Sequence, residues 1–273
     1  MVSAMRPLTR FLVALAAIGV PAVTAAQTVD PMRGFREIDT GRGVALYQRG
    51  RDYLEVIVPR RGGEMRSLLG PIIPSFEPFE QFPRKTIDAW WDDWNEQSSG
   101  AFSVLNGQFF DMTSSDRAPL AFSVKSAGVV HTGYGDATEY KGAKRMLVMG
   151  ESKHDILPYD DDAGTLRQRP EEEIIVGLKP DAAKTASRRV GRTFIGVTPN
   201  GRTLLFTSPG ATQRYATRIL FALGAGRQSV MMLDGGGSTQ LVQDGKRLLP
   251  RNDELRTIPH VIGVSSGTPS RLR

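Results

Sequence analysis

The sequence TFIGVTPNGRTLLFT, residues 193–207, places two apolar segments on either side of a Pro-Asn-Gly-Arg turn. Asn-Gly between such segments is the strongest short-range signal for a β-hairpin. The stretch therefore predicts two antiparallel strands, at residues 193–197 and 203–207. Asp244-Gly245 is a further turn signal, so hairpins are expected to recur in this part of the chain.

Strand signals also recur upstream and downstream of this hairpin, whereas helical patterns are few. The other predicted elements are strands at residues 52–58, 101–105, 146–149, 230–233, 240–242 and 258–264, and helices at residues 86–96 and 211–223. Strands that cluster in this way argue against a doubly wound nucleotide-binding fold, which needs regular alternation with helices. We expect a single α+β domain with a large mixed or mostly antiparallel twisted sheet and a few flanking helices.

Two segments differ from this pattern of strands. Residues 69–84 contain four prolines among aromatic residues, which excludes regular helix or central strand and predicts a surface loop or arm. The helix predicted at residues 86–96 carries Trp90, Trp91 and Trp94 at helical spacing. This spacing favours a core face, with sugar stacking as the alternative.

The N-terminus has the order of a secretory signal peptide. Arg6 and Arg10 precede the apolar residues 11–20, and small residues follow as far as Ala26. A membrane-spanning helix needs roughly 20 apolar residues, more than this run supplies. We expect a signal peptide at 1–26, a domain at 27–273 and export to the periplasm or exterior of a bacterial cell. An uncleaved N-terminal anchor is the alternative.

Composition narrows the chemistry. The 273 residues include no cysteine, which excludes a thiol nucleophile, thiolate metal ligands and disulfides. The net charge is +6, and loss of Arg6 and Arg10 with the signal peptide leaves 6 − 2 = +4. This charge suits an anionic ligand or serves solubility alone. The chain has no nucleic-acid motif, and its three histidines lack metal-ligand spacing. We therefore expect no nucleic acid partner and no cofactor, although a structural divalent cation stays open.

A glycine-rich segment follows the strand predicted at residues 230–233. It reads Asp234, Gly235, Gly236, Gly237, Ser238, Thr239. Three glycines cost chain entropy and make sense where the backbone bends sharply or lies against a ligand. Their N–H groups can bind an anion, the two hydroxyls add donors, and Asp234 is placed to act as acid, base or hydrogen-bond anchor. A plain tight turn is the alternative. The segment lacks the lysine of a phosphate-binding P-loop and the second glycine of a serine-hydrolase elbow.

Three further polar residues stand at predicted strand ends. Asn106, before Gly107, offers an amide suited to a sugar hydroxyl or a phosphate oxygen, or it serves as a structural residue in a turn. Arg192 opens one strand and Arg256 precedes another. A guanidinium at either place can bind phosphate through two parallel hydrogen bonds, or can be simply solvated.

Four motifs follow one another in a familiar order: Asn-Gly-x-Phe-Phe at 106–110, Arg-Thr-x-Ile-Gly at 192–196, Leu-Asp-Gly-Gly-Gly-Ser-Thr at 233–239 and Arg-x-x-Pro at 256–259. This order resembles the phosphodiester glycosidase family, which includes the enzyme that uncovers mannose-6-phosphate by removing N-acetylglucosamine from a phosphodiester. The resemblance spans roughly residues 50–265. Two positions depart from the pattern. Gln108 replaces a usual glycine, and Leu178 lies where the family usually has a Gly-Gly-Pro-type segment.

The resemblance implies an exported hydrolase that cleaves a sugar-1-phosphodiester, acting on envelope or exopolysaccharide glycans without stable membrane insertion. The catalytic residues that it implies are Asp234, Arg192 and Asn106. Implied substrate contacts are Gly107, Gly235, Gly236, Gly237, Ser238, Thr239 and Arg256. Asp111 and Glu173 are candidates for a second carboxylate. The alternative is a non-catalytic glycan-binding or exopolysaccharide assembly factor. A phosphatase or nuclease is disfavoured, because the sequence shows no clustered metal ligands.

Overall fold

The computed structural model describes residues 34–250 and 256–267. The predicted signal peptide at residues 1–26 lies outside the described residues and stays a prediction. Within the described ranges, no helix is long and apolar enough to cross a membrane.

Short strands make up most of the described chain. In chain order they are β1 (Arg36–Gly41), β2 (Val44–Arg49), β3 (Asp52–Ile57), β4 (Glu64–Leu69), β5 (Phe82–Pro83), β6 (Ala101–Asn106), β7 (Arg117–Ala118), β8 (Val124–Ser126), β9 (Val129–His131), β10 (Lys144–Met149), β11 (His154–Pro158), β12 (Glu173–Leu178), β13 (Val190–Val197), β14 (Thr203–Ala211), β15 (Val230–Met232), β16 (Leu241–Gln243), β17 (Lys246–Leu249) and β18 (His260–Ser265). The helices are α1 (Ile87–Gln97), α2 (Gly164–Gln168) and α3 (Gln213–Ala222).

The strands form two large sheets, and every pairing among the described strands is antiparallel. The first has 11 strands, with the main order β1-β2-β3-β14-β13-β15-β12-β10-β11, and β8 and β9 attached at β12. The second has five strands in the order β17-β16-β6-β18-β4, and β5 pairs with β7 separately. The predicted hairpin is confirmed as β13 and β14, in which Val197 lies opposite Thr203.

The α+β prediction is confirmed in coarse form, but the fold is dominated by two sheets where one was expected. One face of each sheet is buried against the other, with Leu46 and Ile195 of the first sheet in one core with Leu105 and Ile262 of the second. Helix α3 packs on the outer face of the first sheet and α1 on the outer face of the second. On a single sheet of this size, so few helices could not cover the apolar surface. Two stacked sheets bury that surface against each other.

Helix α1 places all three tryptophans in the core. Its N-terminus is capped by Thr86, whose Oγ1 accepts a hydrogen bond from the Ala89 N–H at 3.3 Å. Trp90, Trp91 and Trp94 are buried against the second sheet. The indole of Trp90 donates to a backbone carbonyl at 2.9 Å and that of Trp94 to another at 3.0 Å. The core interpretation of the tryptophans is therefore confirmed.

A carboxyl group lies between the two sheets. Glu55 of β3 is 2% exposed, and the Ser103 hydroxyl of β6 lies 2.7 Å and 2.9 Å from its two oxygens. Burial raises the pKa of Glu55 to about 8, against the weaker opposing effect of the Ser103 hydrogen bond. Glu55 is therefore mostly protonated in the folded protein at neutral pH.

Glu55→Gln is expected to flatten the dependence of stability on pH. Because the folded protein holds this proton more tightly than the unfolded chain, stability falls as pH rises from about 4.5 to about 8, by at most about 1.4 kcal/mol per pH unit. Glutamine keeps the shape of the neutral acid and does not titrate. Unfolding free energies of both proteins across this range check the prediction, and equal slopes would contradict it.

Candidate active site

The ends of β6 and β15 meet through the side chain of Asn106. Its Nδ2 donates to the backbone carbonyl of Asp234 at 2.8 Å. Its Oδ1 accepts from the Thr193 hydroxyl at 2.7 Å and from the Gln240 N–H at 3.2 Å. Both ends of the amide are thus engaged within the protein. Asn106 is 1% exposed and fixes the backbone that carries the Asp234 carboxylate.

Gly107 and Gln108 contact a buried histidine. The Gln108 N–H donates to Nδ1 of His260 at 2.8 Å, and a Cβ on Gly107 would lie 2.0 Å from that nitrogen. Since Nδ1 accepts, the ring proton is on Nε2, which lies 2.8 Å from the Ser67 hydroxyl. This tautomer cannot take a proton from Ser67, so the pair is structural and not a nucleophile with its base. Burial lowers the pKa of His260 to about 3, which keeps the ring neutral.

Gln108, one departure from the family pattern, is a structural residue. It is 1% exposed. Its Oε1 accepts from the Phe109 N–H at 2.8 Å, and its Nε2 donates to the Val176 carbonyl of β12. The Gln108 side chain therefore fills a buried position, and neither of these two hydrogen bonds involves the Asp234 side chain.

Close packing explains the glycines that follow Asp234. A Cβ on Gly235 would lie 2.6 Å from the Gly191 carbonyl oxygen, and Gly236 has a φ of +62°. A Cβ on Gly237 would lie 2.7 Å from Nη2 of Arg256. Gly236 and Gly237 are exposed, whereas Thr239 is buried beside Gly191. Because its glycines have no side chains, the backbone of the segment lies directly against the Arg256 guanidinium.

The Asp234 carboxylate is linked to Arg256 through Ser238. Asp234 is half-buried, and its Oδ1 accepts from the Gly235 N–H at 2.8 Å. Burial raises the pKa of Asp234, while the Ser238 hydroxyl hydrogen bond, the Gly235 N–H and the charges of Lys184 and Arg256 act in the opposite direction. Nη1 of Arg256 lies 3.4 Å from the Ser238 hydroxyl oxygen. Carboxylate, hydroxyl and guanidinium therefore form one connected group.

Arg84 supplies a second guanidinium near Arg256 that sequence reasoning missed. Burial first, and then the charge of Arg256, lower the pKa of Arg84. Its Nε and Nη2 donate to the Thr257 carbonyl at 3.1 Å and 2.9 Å. Arg84 ends the Pro-rich segment, where no sequence signal distinguished it from a solvated arginine. Arg84 and Arg256 therefore place two positive charges near each other, and the charge of Asp116 partly offsets that of Arg84.

The Arg192 guanidinium lies among backbone carbonyls of the protein. It is 3% exposed, and all three guanidinium nitrogens donate to protein atoms. Their main partners are the carbonyl of Ala211 at 3.3 Å and those of Lys184 at 3.4 Å and Thr185 at 2.6 Å. Its predicted contact with phosphate stays a prediction, and the geometry gives Arg192 a different task, that of holding the loop after β12.

The two candidates for a second carboxylate have different surroundings. Burial raises the pKa of Tyr134 to about 12, and the charges of Glu139, Asp111 and Asp234 add to the rise, so Asp111 belongs to the neighbourhood of Asp234. Glu173 begins β12, whereas the other end of that strand, Leu178, pairs beside Met232. Its oxygens accept from two backbone N–H groups, at 2.9 Å and 3.1 Å. Glu173 is therefore engaged by the backbone of Ser67 and Ala127.

Tyr134 and Glu139 are site neighbours that sequence reasoning also missed, because their segment showed only scattered strand signals. The described residues contain no group of three or more His, Asp or Glu side chains arranged to hold a metal ion.

A strand-end carboxylate with a raised pKa, linked through a hydroxyl to a guanidinium group, provides the groups that a hydrolase needs for a negatively charged substrate. Residues 92–265 match the family model described as phosphodiester glycosidase. The chain therefore belongs to the phosphodiester glycosidase family, whose members are glycosidase-type hydrolases acting on phosphodiesters.

The chain is similar to several solved structures at low sequence identity, and the first of them shows the same fold. The catalytic domain of zebrafish N-acetylglucosamine-1-phosphodiester alpha-N-acetylglucosaminidase, auto-inhibited by its pro-peptide, has 15% identity and a TM-score of 0.54 over 85% of this chain and 81% of that one. A hypothetical protein from Synechocystis has 16% identity and a TM-score of 0.43 over 84% and 61%. A putative exported protein from Burkholderia pseudomallei has 14% and 0.48 over 81% and 74%. No curated protein sequence matches this chain.

Gly107→Ala is expected to lower the free energy of unfolding by about 1–3 kcal/mol, because the added methyl group overlaps the His260 ring. Gly210→Ala is the matched control. A Cβ on Gly210 meets no atom within 4 Å, so its effect should stay within about 0.5 kcal/mol. Chemical denaturation of the three proteins measures both changes. If the two variants were equally stable, the packing described for Gly107 would be wrong.

Proposed function

We propose that the protein hydrolyses a sugar-1-phosphodiester between the anomeric carbon and the phosphate-linked oxygen. The observation that carries the proposal is the group formed by the Asp234 carboxylate, the Ser238 hydroxyl and the Arg256 guanidinium. Family membership supports the reaction class. The group combines what this cleavage needs, a carboxylate to assist attack and a cation for the departing phosphate.

The phosphate is assigned to the Arg256 side of the site. A guanidinium binds two phosphate oxygens through parallel hydrogen bonds. The exposed backbone of Gly236 and Gly237 lies beside it and can supply N–H donors. Arg84 adds positive charge behind Arg256. Because the leaving group is a phosphate monoester, which departs as a stabilised anion, this side of the site neutralises charge and need not deliver a proton.

Asp234 is assigned to the attack of water. Water forms a bond to the anomeric carbon, the bond from that carbon to the phosphate-linked oxygen breaks, and its electron pair stays on the phosphate. The proton lost by water passes to Asp234, whose raised pKa makes it a better acceptor than an ordinary aspartate. Tyr134, whose pKa is raised, keeps its proton at neutral pH, and its hydroxyl can donate a hydrogen bond to a sugar oxygen. Asn106 positions Asp234 through its backbone.

The setting of this activity is proposed from the N-terminal sequence and the charge. The signal-peptide pattern in residues 1–26 supports export to the periplasm or exterior, where envelope or exopolysaccharide glycans supply substrates. The basic net charge suits a phosphorylated glycan as the partner, with no nucleic acid and no lasting membrane insertion.

Asp234→Asn is expected to lower release of free sugar from a panel of UDP-N-acetylglucosamine and methyl sugar-1-phosphodiesters by about 10²–10⁴-fold, because the amide cannot accept the proton. Arg256→Met should cost about 10²–10³-fold by removing charge stabilisation. Asp244→Asn and Arg60→Met, both at exposed positions, are the matched controls and should retain activity.

Free sugar measured against time for these proteins decides between the functions. An Asp234→Asn variant as active as the Asp244→Asn control would contradict the assigned role. A folded wild-type protein that binds panel members without releasing sugar would support the non-catalytic glycan-binding alternative instead.

Ser238→Ala is expected to move the acidic limb of the kcat/KM profile to higher pH. The Ser238 hydroxyl hydrogen bond lowers the pKa of Asp234, so its removal raises that pKa and the carboxylate form is lost at a higher pH. Ser152→Ala, at an exposed position, is the control. An acidic limb unmoved, or moved to lower pH, would show that Ser238 does not support the ionised Asp234.

A further inference from the structure

We propose that Lys184 is a substrate-contacting cation of this site, binding the sugar-phosphate anion together with Arg256, and that Arg192 is a positioning residue that acts through Lys184. This inference rests on the proposed function. Arg192, the arginine of the family pattern, then positions Lys184 and does not itself bind the anion.

The Lys184 ammonium group lies over aromatic rings at the site. Its Nζ is 4.4 Å from the ring centroid of Phe109 and 5.6 Å from that of Tyr140. Phe109 directly follows the Asn106–Gln108 segment that fixes Asp234. Aromatic faces hold a cation in place by attraction to the ring quadrupole without neutralising its charge.

Lys184 forms no contact ion pair with a carboxylate of the described residues. None of the ion pairs formed there includes Lys184, although the side chain is half-buried. Lys144, by contrast, is fully buried with an ion pair to Asp161 at 2.5 Å. A half-buried lysine that packs on aromatic rings and forms no contact ion pair can bind an anion that comes from outside.

The charge of Lys184 reaches the proposed catalytic group. The positive charges of Lys184 and Arg256 both lower the pKa of Asp234. Two cations from different parts of the chain therefore act on one carboxylate. An anion that lies beside Asp234 meets both, and lysine serves as a point charge for phosphate where arginine gives paired hydrogen bonds.

Buried side chains hold the backbone of Lys184 in place. Its carbonyl accepts from Nε2 of Gln213 at 2.9 Å and from Nη1 of Arg192 at 3.4 Å. Arg192 also donates to the carbonyls of Thr185 at 2.6 Å and Arg188 at 3.2 Å. Residues 185–189 are exposed, so these bonds anchor an otherwise solvent-facing loop. Arg192 thereby fixes the position of the Lys184 backbone, from which the side chain extends.

The absence of cysteine from the chain allows a direct test. Lys184→Cys creates a single thiol, and its alkylation rate is measured with and without N-acetylglucosamine-1-phosphate or inorganic phosphate. We expect either probe to slow alkylation at least roughly tenfold at saturation. Lys141→Cys, at an exposed position, should show no protection. Equal rates at position 184 with and without both probes would overturn the assignment.

Chemical rescue tests the charge itself. Alkylation of Lys184→Cys with 2-bromoethylamine forms a thioether side chain that ends in an ammonium group close to the original position. If Lys184 binds the anion, the cysteine variant raises KM roughly tenfold or more and aminoethylation restores it. A KM that the cysteine variant leaves unchanged would overturn the proposal. Restoration of KM by ethylation, which adds no charge, would also overturn the proposal.

The role of Arg192 is tested by coupling. Arg192→Met should raise KM and remove the protection of the cysteine at position 184, and its effect should not add to that of Lys184→Met. Arg256→Met should add to either. An Arg192→Met variant with a lower melting temperature but an unchanged KM would show a merely structural arginine.

These outcomes separate the inference from the proposed hydrolysis. Protection at position 184 in a protein that releases no sugar would leave Lys184 as an anion ligand and remove the hydrolase. Hydrolysis that needs Arg256 but is unchanged by Lys184→Met would support the hydrolase and remove Lys184 as an anion ligand.

Discussion

The hydrogen bonds of the Asn106 side chain are the interaction on which the site depends. One amide joins the end of β6 in the second sheet to Thr193 of β13 and to the backbone of Asp234 after β15 in the first. Because both its donor and its acceptor are used, the two sheets are fixed at the point where the carboxylate emerges. The close contact of Gly107 with His260 fixes the next residue of the same strand end.

Charge at the site is balanced between burial and neighbouring groups. Burial alone disfavours an ionised Asp234, whereas hydrogen bonds and the cations Lys184 and Arg256 favour it. Neither cation forms an ion pair with a carboxylate among the described residues. Positive charge in excess of the carboxylates in contact with it is what a site for an anionic substrate requires. The repulsion between Arg84 and Arg256 is partly offset by the charge of Asp116.

Much of the fold could be predicted from local sequence patterns. The Asn-Gly hairpin and the spacing of the tryptophans depend on residues close together in the chain, and the structure has them as predicted. The division into two sheets could not be predicted, because it depends on pairings between distant strands such as β6 with β18. Local periodicity carries no information about those partners.

The site was predictable in its motifs but less so in its roles. The glycines after Asp234 and the Asn106-Gly107 pair lie together, as their shared position at strand ends suggested. The internal partners of Arg192 could not be read from its position at the start of a strand, since a buried and an exposed arginine look alike in sequence. Lys184, Tyr134 and Arg84 stand in loops without periodic pattern, and only the fold brings them near Asp234.

The central claim is that this site breaks the bond between the anomeric carbon and oxygen. Hydrolysis of a methyl sugar-1-phosphodiester in water carrying a heavy oxygen isotope, followed by mass spectrometry of both products, tests it most directly. Our account predicts that the isotope enters the anomeric hydroxyl of the freshly released sugar and that the methyl phosphate stays unlabelled. Isotope in the phosphate product would show attack at phosphorus and would contradict the account.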